Sequence, residues 1–155
     1  MTFPRTSART RPISVRDSVP PARAQGELIL VVEDDALVRS VVAQILTSRG
    51  FGVVEAEHGE EGLEIVRAQH HELGCIITDV VMPIMGGGPF MAAVRQAHPH
   101  IPIVVMSGYV DDPRVREDLH AHDVEFLPKP FTTDQLVGKV LTAMARQREQ
   151  EAKVS

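Results

Sequence analysis

From Glu27 onward, short β-rich apolar runs alternate with longer stretches of helical period, and this alternation leaves few folds open. The runs are Leu28–Val32, Phe51–Ala56, Cys75–Asp79, Pro102–Ser107 and Glu125–Pro128. A continuous apolar run bounded by polar residues is the mark of a strand buried on both faces. Between the first two, Leu37, Val38, Val41, Val42, Ile45 and Leu46 fall on one inward stripe, and Gly50 ends the helix. A second helix is expected from Gly59 to about His70, with Leu63 and Val66 inward. A third runs through Phe90, Met91 and Val94. Asp112-Pro113 reads as an N-cap with proline in the first turn, opening a helix to about His122. Thr132-Thr-Asp-Gln135 resembles a capping box. It opens a last helix through Leu136, Val137, Val140, Leu141 and Met144, and the apolar stripe fades over Arg146–Lys153.

Five strands alternating with five helices mean βαβ units and a parallel sheet with helices on both faces. The expected fold is α/β, a flavodoxin-like doubly wound (βα)5 three-layer sandwich with strand order 2-1-3-4-5. Its switch point lies between strands 1 and 3, and ligands bind beyond the carboxyl ends of the strands there.

Those carboxyl ends carry the chemistry. Glu33-Asp34-Asp35 follows the first strand, Asp79 ends the third, and Met82-Pro83 lies just beyond it. Ser107 ends the fourth strand, and Lys129 stands between Pro128 and Pro130 after the fifth. Clustered carboxylates repel, and at least one has its pKa raised unless a cation intervenes. A hard divalent ion, Mg²⁺, suits carboxylates together with water and a phosphoryl oxygen. In this reading Asp79 is the nucleophile that forms an aspartyl phosphate. Lys129 pairs with a phosphoryl oxygen, and the Ser107 hydroxyl donates to another. Each residue also has a plain explanation, since acids favour a helix N-terminus and Ser-Gly is a common turn. Their placement on one edge of one sheet favours the site.

The 155 residues fit one domain plus tails. Residues 1–26 hold five Arg against one acid, with four Pro and no apolar period, and read as a disordered tail or linker. The domain is expected at 27–145, with 146–155 a helix extension or tail. The formal net charge of −5 therefore leaves the folded part near −9, which argues against nucleic-acid binding. No stretch approaches the roughly 20 apolar residues of a membrane span, and residues 1–26 have no apolar signal core, so a cytoplasmic protein is expected. Cys75 is the only cysteine and is expected to be a small buried side chain. The seven histidines show no zinc-site spacing and are expected on solvated loops or helix faces.

The motifs Leu30-Val-Val-Glu-Asp-Asp35, Ile77-Thr-Asp-Val-Val-Met-Pro83, Val105-Met-Ser-Gly108 and Phe126-Leu-Pro-Lys-Pro-Phe131 resemble the receiver domain of two-component response regulators over about residues 27–145. The resemblance implies phosphorylation of Asp79 by a histidine kinase or histidine phosphotransfer protein. It implies Mg²⁺ held by Glu33, Asp34, Asp79 and the backbone carbonyl of Val81. Ser107 and Phe126 would form a switch pair, and the Lys129–Pro130 peptide would be cis. The face of the fourth helix, fifth strand and fifth helix would contact an unknown downstream protein. Such a domain is a phosphoacceptor rather than an enzyme with a separate substrate.

Four positions depart from the common pattern. Gly86-Gly87 replace Asp-Gly and remove a helix-capping acid. Ser107 stands for the commoner Thr, Phe126 for a frequent Tyr, and Glu33 occupies a position where Asp is also common. Val81 and Tyr109, each two residues beyond Asp79 and Ser107 respectively, should overlook the phosphoryl group and slow its hydrolysis. About ten residues follow the last helix, too few for a helix-turn-helix or catalytic unit. A stand-alone regulator is favoured over an excised receiver of a hybrid histidine kinase. The alternatives are a non-phosphorylated pseudo-receiver acting as an interaction module, and a phosphatase of the haloacid dehalogenase type. The latter needs a second acid where Val81 stands.

Overall fold

The computed structural model describes residues 27–80, 87–108 and 124–154. Residues 1–26, Val81, the Met82-Pro83 turn, Tyr109 and the expected helix from Asp112 to about His122 lie outside them. The strands are β1 (Leu28–Val32), β2 (Gly52–Ala56), β3 (Leu73–Asp79), β4 (Ile103–Ser107) and β5 (Glu125–Pro128). The helices are α1 (Ala36–Ser48), α2 (Gly59–Gln69), α3 (Gly87–Ala97) and α4 (Thr133–Val154), the last of these being the fifth helix of the sequence reading. The five strands form one parallel sheet in the order β2-β1-β3-β4-β5, as the alternation requires.

Side-chain alternation along the strands divides the core in two. Ile29, Val31, Cys75, Ile77, Val104, Met106 and Leu127 point to one face and pack against α1 and α4. Leu30, Val32, Ile76, Ile103 and Val105 point to the other and pack against α2 and α3. Central strands are thus buried on both sides, while β2 and β5 at the edges are only partly covered. Cys75 is fully buried, and loss of solvation pushes its thiol up to about 12, so it behaves as an inert apolar side chain.

Helix ends follow local rules. Gly50 has φ 95°, its N–H donates to the Thr47 carbonyl, and the Phe51 N–H donates to that of Leu46. This is a Schellman cap, with Phe51 and Leu46 together in the core. It takes Phe51 into the cap, so β2 begins at Gly52 rather than at Phe51. The Thr132 hydroxyl accepts from Gln135 N–H at 3.1 Å and the Gln135 side chain accepts from Thr132 N–H at 2.9 Å, a complete capping box for α4. That helix continues through 146–154. β3 starts two residues earlier than Cys75 because the register shifts between Leu28 and Ile29, and Gly74 fills the irregularity against Glu27.

The α1 stripe is narrower than its apolar pattern. Val42, Ala43 and Leu46 are buried, but Leu37 is 74% and Val41 44% exposed. At roughly 100° per residue, Leu37 and Val41 sit about 140° and about 100° away from Val42 around the helix and clear the sheet.

Gly62 marks the tightest helix contact. A Cβ there would lie 2.9 Å from the Phe90 ring and 3.1 Å from Val32 Cγ2, both fully buried. Gly62→Ala is therefore expected to destabilise the domain by about 1–3 kcal/mol despite alanine's better helix propensity. Chemical denaturation checks this; an unchanged midpoint would show that Phe90 can yield.

Candidate functional site

Strand parity decides which side chains meet. Glu33 continues the face of Ile29 and Val31, Asp79 that of Cys75 and Ile77, and Lys129 that of Leu127. All three emerge at the carboxyl edge on the α1/α4 side. The Lys129 ammonium lies 2.7 Å from Asp79 Oδ2 and 3.1 Å from Glu33 Oε1. It ties together residues 50 and 96 positions apart.

The surrounding backbone fixes these groups. Lys129 N–H donates to the Ser107 carbonyl at 2.9 Å, and the Lys129–Pro130 peptide is cis, as the resemblance implied. Glu33 Oε2 accepts from Asp35 N–H at 3.1 Å, while Arg39 donates to the Glu33 carbonyl at 2.7 Å. Asp35 caps α1, its Oδ1 accepting from the Leu37 and Val38 N–H groups. The three acids therefore divide their work, because Asp35 is spent on the helix.

Carboxylate oxygens of Glu33, Asp34 and Asp79 all lie within 4.8 Å of one another. Glu33 and Asp79 are buried and Asp34 is exposed, so the cluster opens outward through Asp34. One ammonium faces three carboxylates. Burial pushes the Glu33 carboxyl up to about 7, and the Asp79 charge adds to the rise; the Asp35 N–H bond and Lys129 oppose it. Burial alone would lower Lys129, but bonding and charge from Asp79, then Glu33, hold its pKa above the ordinary value.

Ser107 is fully buried at the end of β4 and follows the opposite parity, with Ile103 and Val105. Phe126 pairs in register with Val105 and packs, partly buried, on the same α2/α3 core. The two residues thus share one sheet face, one alternation step apart. Val81 and Tyr109 lie outside the described residues.

Sequence reasoning missed two features of this edge. Arg39 bridges the Glu33 carbonyl and the Glu55 carboxylate, at 3.2 Å, from inside an apolar helix pattern that drew attention to its neighbours. His58 accepts from Glu61 N–H through Nδ1 and so caps α2, a role for which only its position before Gly59 was a signal.

The chain belongs to the response regulator receiver domain family, whose model matches residues 29–141. It is 38% identical over 119 residues to the sensor kinase CckA of Brucella abortus, covering 77% of this chain and 13% of that protein. It is 33% identical over 125 residues to the transcriptional regulatory protein FixJ of Bradyrhizobium diazoefficiens, covering 81% and 60%. The crystal structure of the receiver domain from the hybrid histidine kinase CckA matches with a TM-score of 0.64 at 34% identity, covering 76% of this chain and 98% of that one. A receiver domain protein from Clostridium thermocellum shares the fold with a TM-score of 0.74 at 24% identity, covering 79% and 98%. The chain thus spans less than two thirds of the length of these curated relatives. Its place is in two-component phosphorelay signalling, as a phosphoacceptor-type domain. Among the described residues no helix is long and apolar enough to cross a membrane.

With divalent ions chelated, Glu33 should cost stability at neutral pH. Its folded-state pKa of about 7 exceeds the unfolded value of 4.5, so the folded state holds the extra proton between the two. Stability then falls as pH rises across that window. Glu33→Gln should remove this loss, raising stability at pH 8 by on the order of 1–3 kcal/mol while leaving pH 4.5 little changed. Denaturation at both pH values checks the sign.

Proposed function

We propose that Asp79 accepts a phosphoryl group from a histidine kinase or histidine phosphotransfer protein, and that this switches a protein-binding surface. The observation that carries the reading is the Lys129 ammonium set between Asp79 and Glu33 at the carboxyl edge of the sheet. An Asp79 oxygen attacks phosphorus, the new O–P bond forms, and the donor's N–P bond breaks with its electron pair staying on the imidazole nitrogen. Lys129, already beside Asp79, holds an incoming phosphoryl oxygen as a point charge.

Magnesium fits the donor set, since Glu33, Asp34 and Asp79 offer hard oxygens at close range. Those residues, with the Val81 carbonyl, would hold the ion, which when bound supplies charge neutralisation to the phosphoryl oxygens.

Ser107 then turns its hydroxyl to the phosphoryl group, and the Phe126 ring moves inward on the face the two share. Such a switch is a population shift whose size is bounded by the contacts that phosphate adds. The downstream target binds the face of β5 and α4. A groove there, lined by Leu127, Pro128, Gln135, Gly138, Lys139 and Thr142, supports this assignment. Leu37 and Val41, exposed on the first turns of α1 beside Asp34 and Asp35, support docking of the phosphodonor next to the acids it must reach. The receiver unit is 27–145, and the protein works in the cytoplasm.

Intact mass after incubation with Mg²⁺ and a small acyl phosphate tests the reading. One added phosphoryl group is expected on the native chain and none on Asp79→Asn; no addition to either, with the fold intact by circular dichroism, would favour the pseudo-receiver alternative.

The phosphorylated state should be long-lived. The Val81 side chain has no polar atom to orient water, and a bulky Tyr109 two residues beyond Ser107 would screen the phosphorus. Replacing both, Val81→Asn with Tyr109→Ala, should speed loss of the phosphoryl group severalfold by the same mass measurement over time; an unchanged decay would remove these side chains from the account.

A further inference from the structure

One arginine holds the turn that carries the acids from outside their cluster. Glu33 N–H donates to the Ala56 carbonyl at 3.0 Å, just past the β1–β2 ladder. The chain then leaves the sheet, and Asp34 and Asp35 follow before α1 begins at Ala36. Arg39 is the fourth residue of α1. Helical side chains lean toward the N-terminus, so its guanidinium lies back over this turn. Its Nη1 donates to the Glu33 carbonyl at 2.7 Å, and its Nε donates to Glu55 Oε1, on β2, at 3.2 Å.

The acids of the turn are not held alike. The Glu33 carboxylate is tied to Lys129 and to Asp35 N–H, and Asp79 is tied to Lys129. Asp35 is engaged by the Leu37 and Val38 N–H groups. Asp34 is exposed, and among the described residues its carboxylate has no hydrogen bond or ion pair. Its oxygen nonetheless lies within 4.8 Å of those of Glu33 and Asp79. A short side chain without a partner points where its backbone points it. That backbone is the peptide between residues 33 and 34, whose carbonyl Arg39 holds.

We propose that Arg39 is a positioning residue for the divalent-ion site: by fixing the Glu33 carbonyl it sets the direction of the Asp34 carboxylate, and with it the affinity for Mg²⁺. The inference rests on the Mg²⁺ reading above, but the guanidinium touches none of the carboxylate oxygens that would hold the ion. Mg²⁺ demands near-ideal octahedral geometry, so a displaced carboxylate costs it affinity. Glu33 is buried, and its carbonyl would lose this partner without the guanidinium. Turning that carbonyl toward water rotates the peptide and carries Asp34 away from the cluster. The Glu55 side chain is 47% exposed, so the ion pair contributes little by itself. Its part is to aim the guanidinium, whose planar fork serves a carbonyl and a carboxylate at once; an ammonium is a point charge without that fork.

Position and charge predict opposite signs. As a cation beside the cluster Arg39 repels Mg²⁺, so charge alone predicts tighter binding when it is removed. As a positioning residue its removal loosens binding. Titration of the full chain with Mg²⁺, followed by backbone amide chemical shifts, separates the two. Arg39→Met should weaken binding by about tenfold, the low end of what loss of an outer-shell partner does to a metal site. Arg39→Lys keeps the charge and should still weaken binding severalfold. In the metal-free protein both variants should move the Asp34 and Asp35 amide signals while those of α4 stay in place, which shows a moved turn in an intact fold. If Arg39→Met fails to fold, Arg39→Lys carries the test. Unchanged affinity in Arg39→Lys, or tighter binding in Arg39→Met, would overturn the positioning role. No Mg²⁺ binding by the native chain would overturn the metal reading itself, and the inference with it.

Discussion

One ammonium between two buried carboxylates holds the working end of this domain together. Asp79 and Glu33 come from adjacent strands and lie nearly out of water, where like charges are costly. Lys129 reaches them from the far side of β4 and lowers that cost, yet it leaves the cluster with more negative than positive charge. Removing Lys129 would leave two uncompensated buried acids, a loss of about 3–5 kcal/mol. The site therefore holds together while keeping an excess of negative charge, which favours a cation over an anion there. Glu33 is pushed up to about 7, chiefly by burial, with the Asp79 charge adding to the rise.

The sheet supplies the geometry through parity alone. A parallel strand buried on both faces has its chain polarity and side-chain alternation set by packing, so the residue just past its end has a determined direction. Glu33, Asp79 and Lys129 share one parity and converge; Ser107 and Phe126 share the other. The acids thus face α1 and α4 while the hydroxyl and the ring face α2 and α3. The Lys129 N–H donates to the Ser107 carbonyl, so the two faces are joined through the backbone at the sheet edge. This is a spatial relation that makes coupling between the two faces physically available.

The strands were legible because burial on both faces demands unbroken apolar runs, and β1 and β5 have the bounds their residues suggest. The misread ends have local causes: Phe51 is taken by the Schellman cap of α1, and Gly74 sits in a register irregularity that hides the start of β3. Leu37 and Val41 looked inward because apolar residues were counted, whereas the sheet covers only part of the helix circumference. Among the candidate site residues, Glu33, Asp34, Asp79, Ser107 and Lys129 were legible as polar groups ending apolar runs. Arg39 and His58 were not, because their roles are contacts to backbone groups that no sequence pattern encodes.

The sequence by itself determined the fold class, the strand order and the identity of the acids and lysine at the strand ends, because these follow from local period and from topological rules with few exceptions. Only the tertiary structure decided that Lys129 bridges Asp79 and Glu33, that Asp35 is spent on the α1 cap, that Gly62 is pressed against Phe90, and that His70 stacks on His98. Each of these joins groups far apart in the chain or depends on ångström-scale approach. A linear pattern records which faces exist, but not how closely two of them meet.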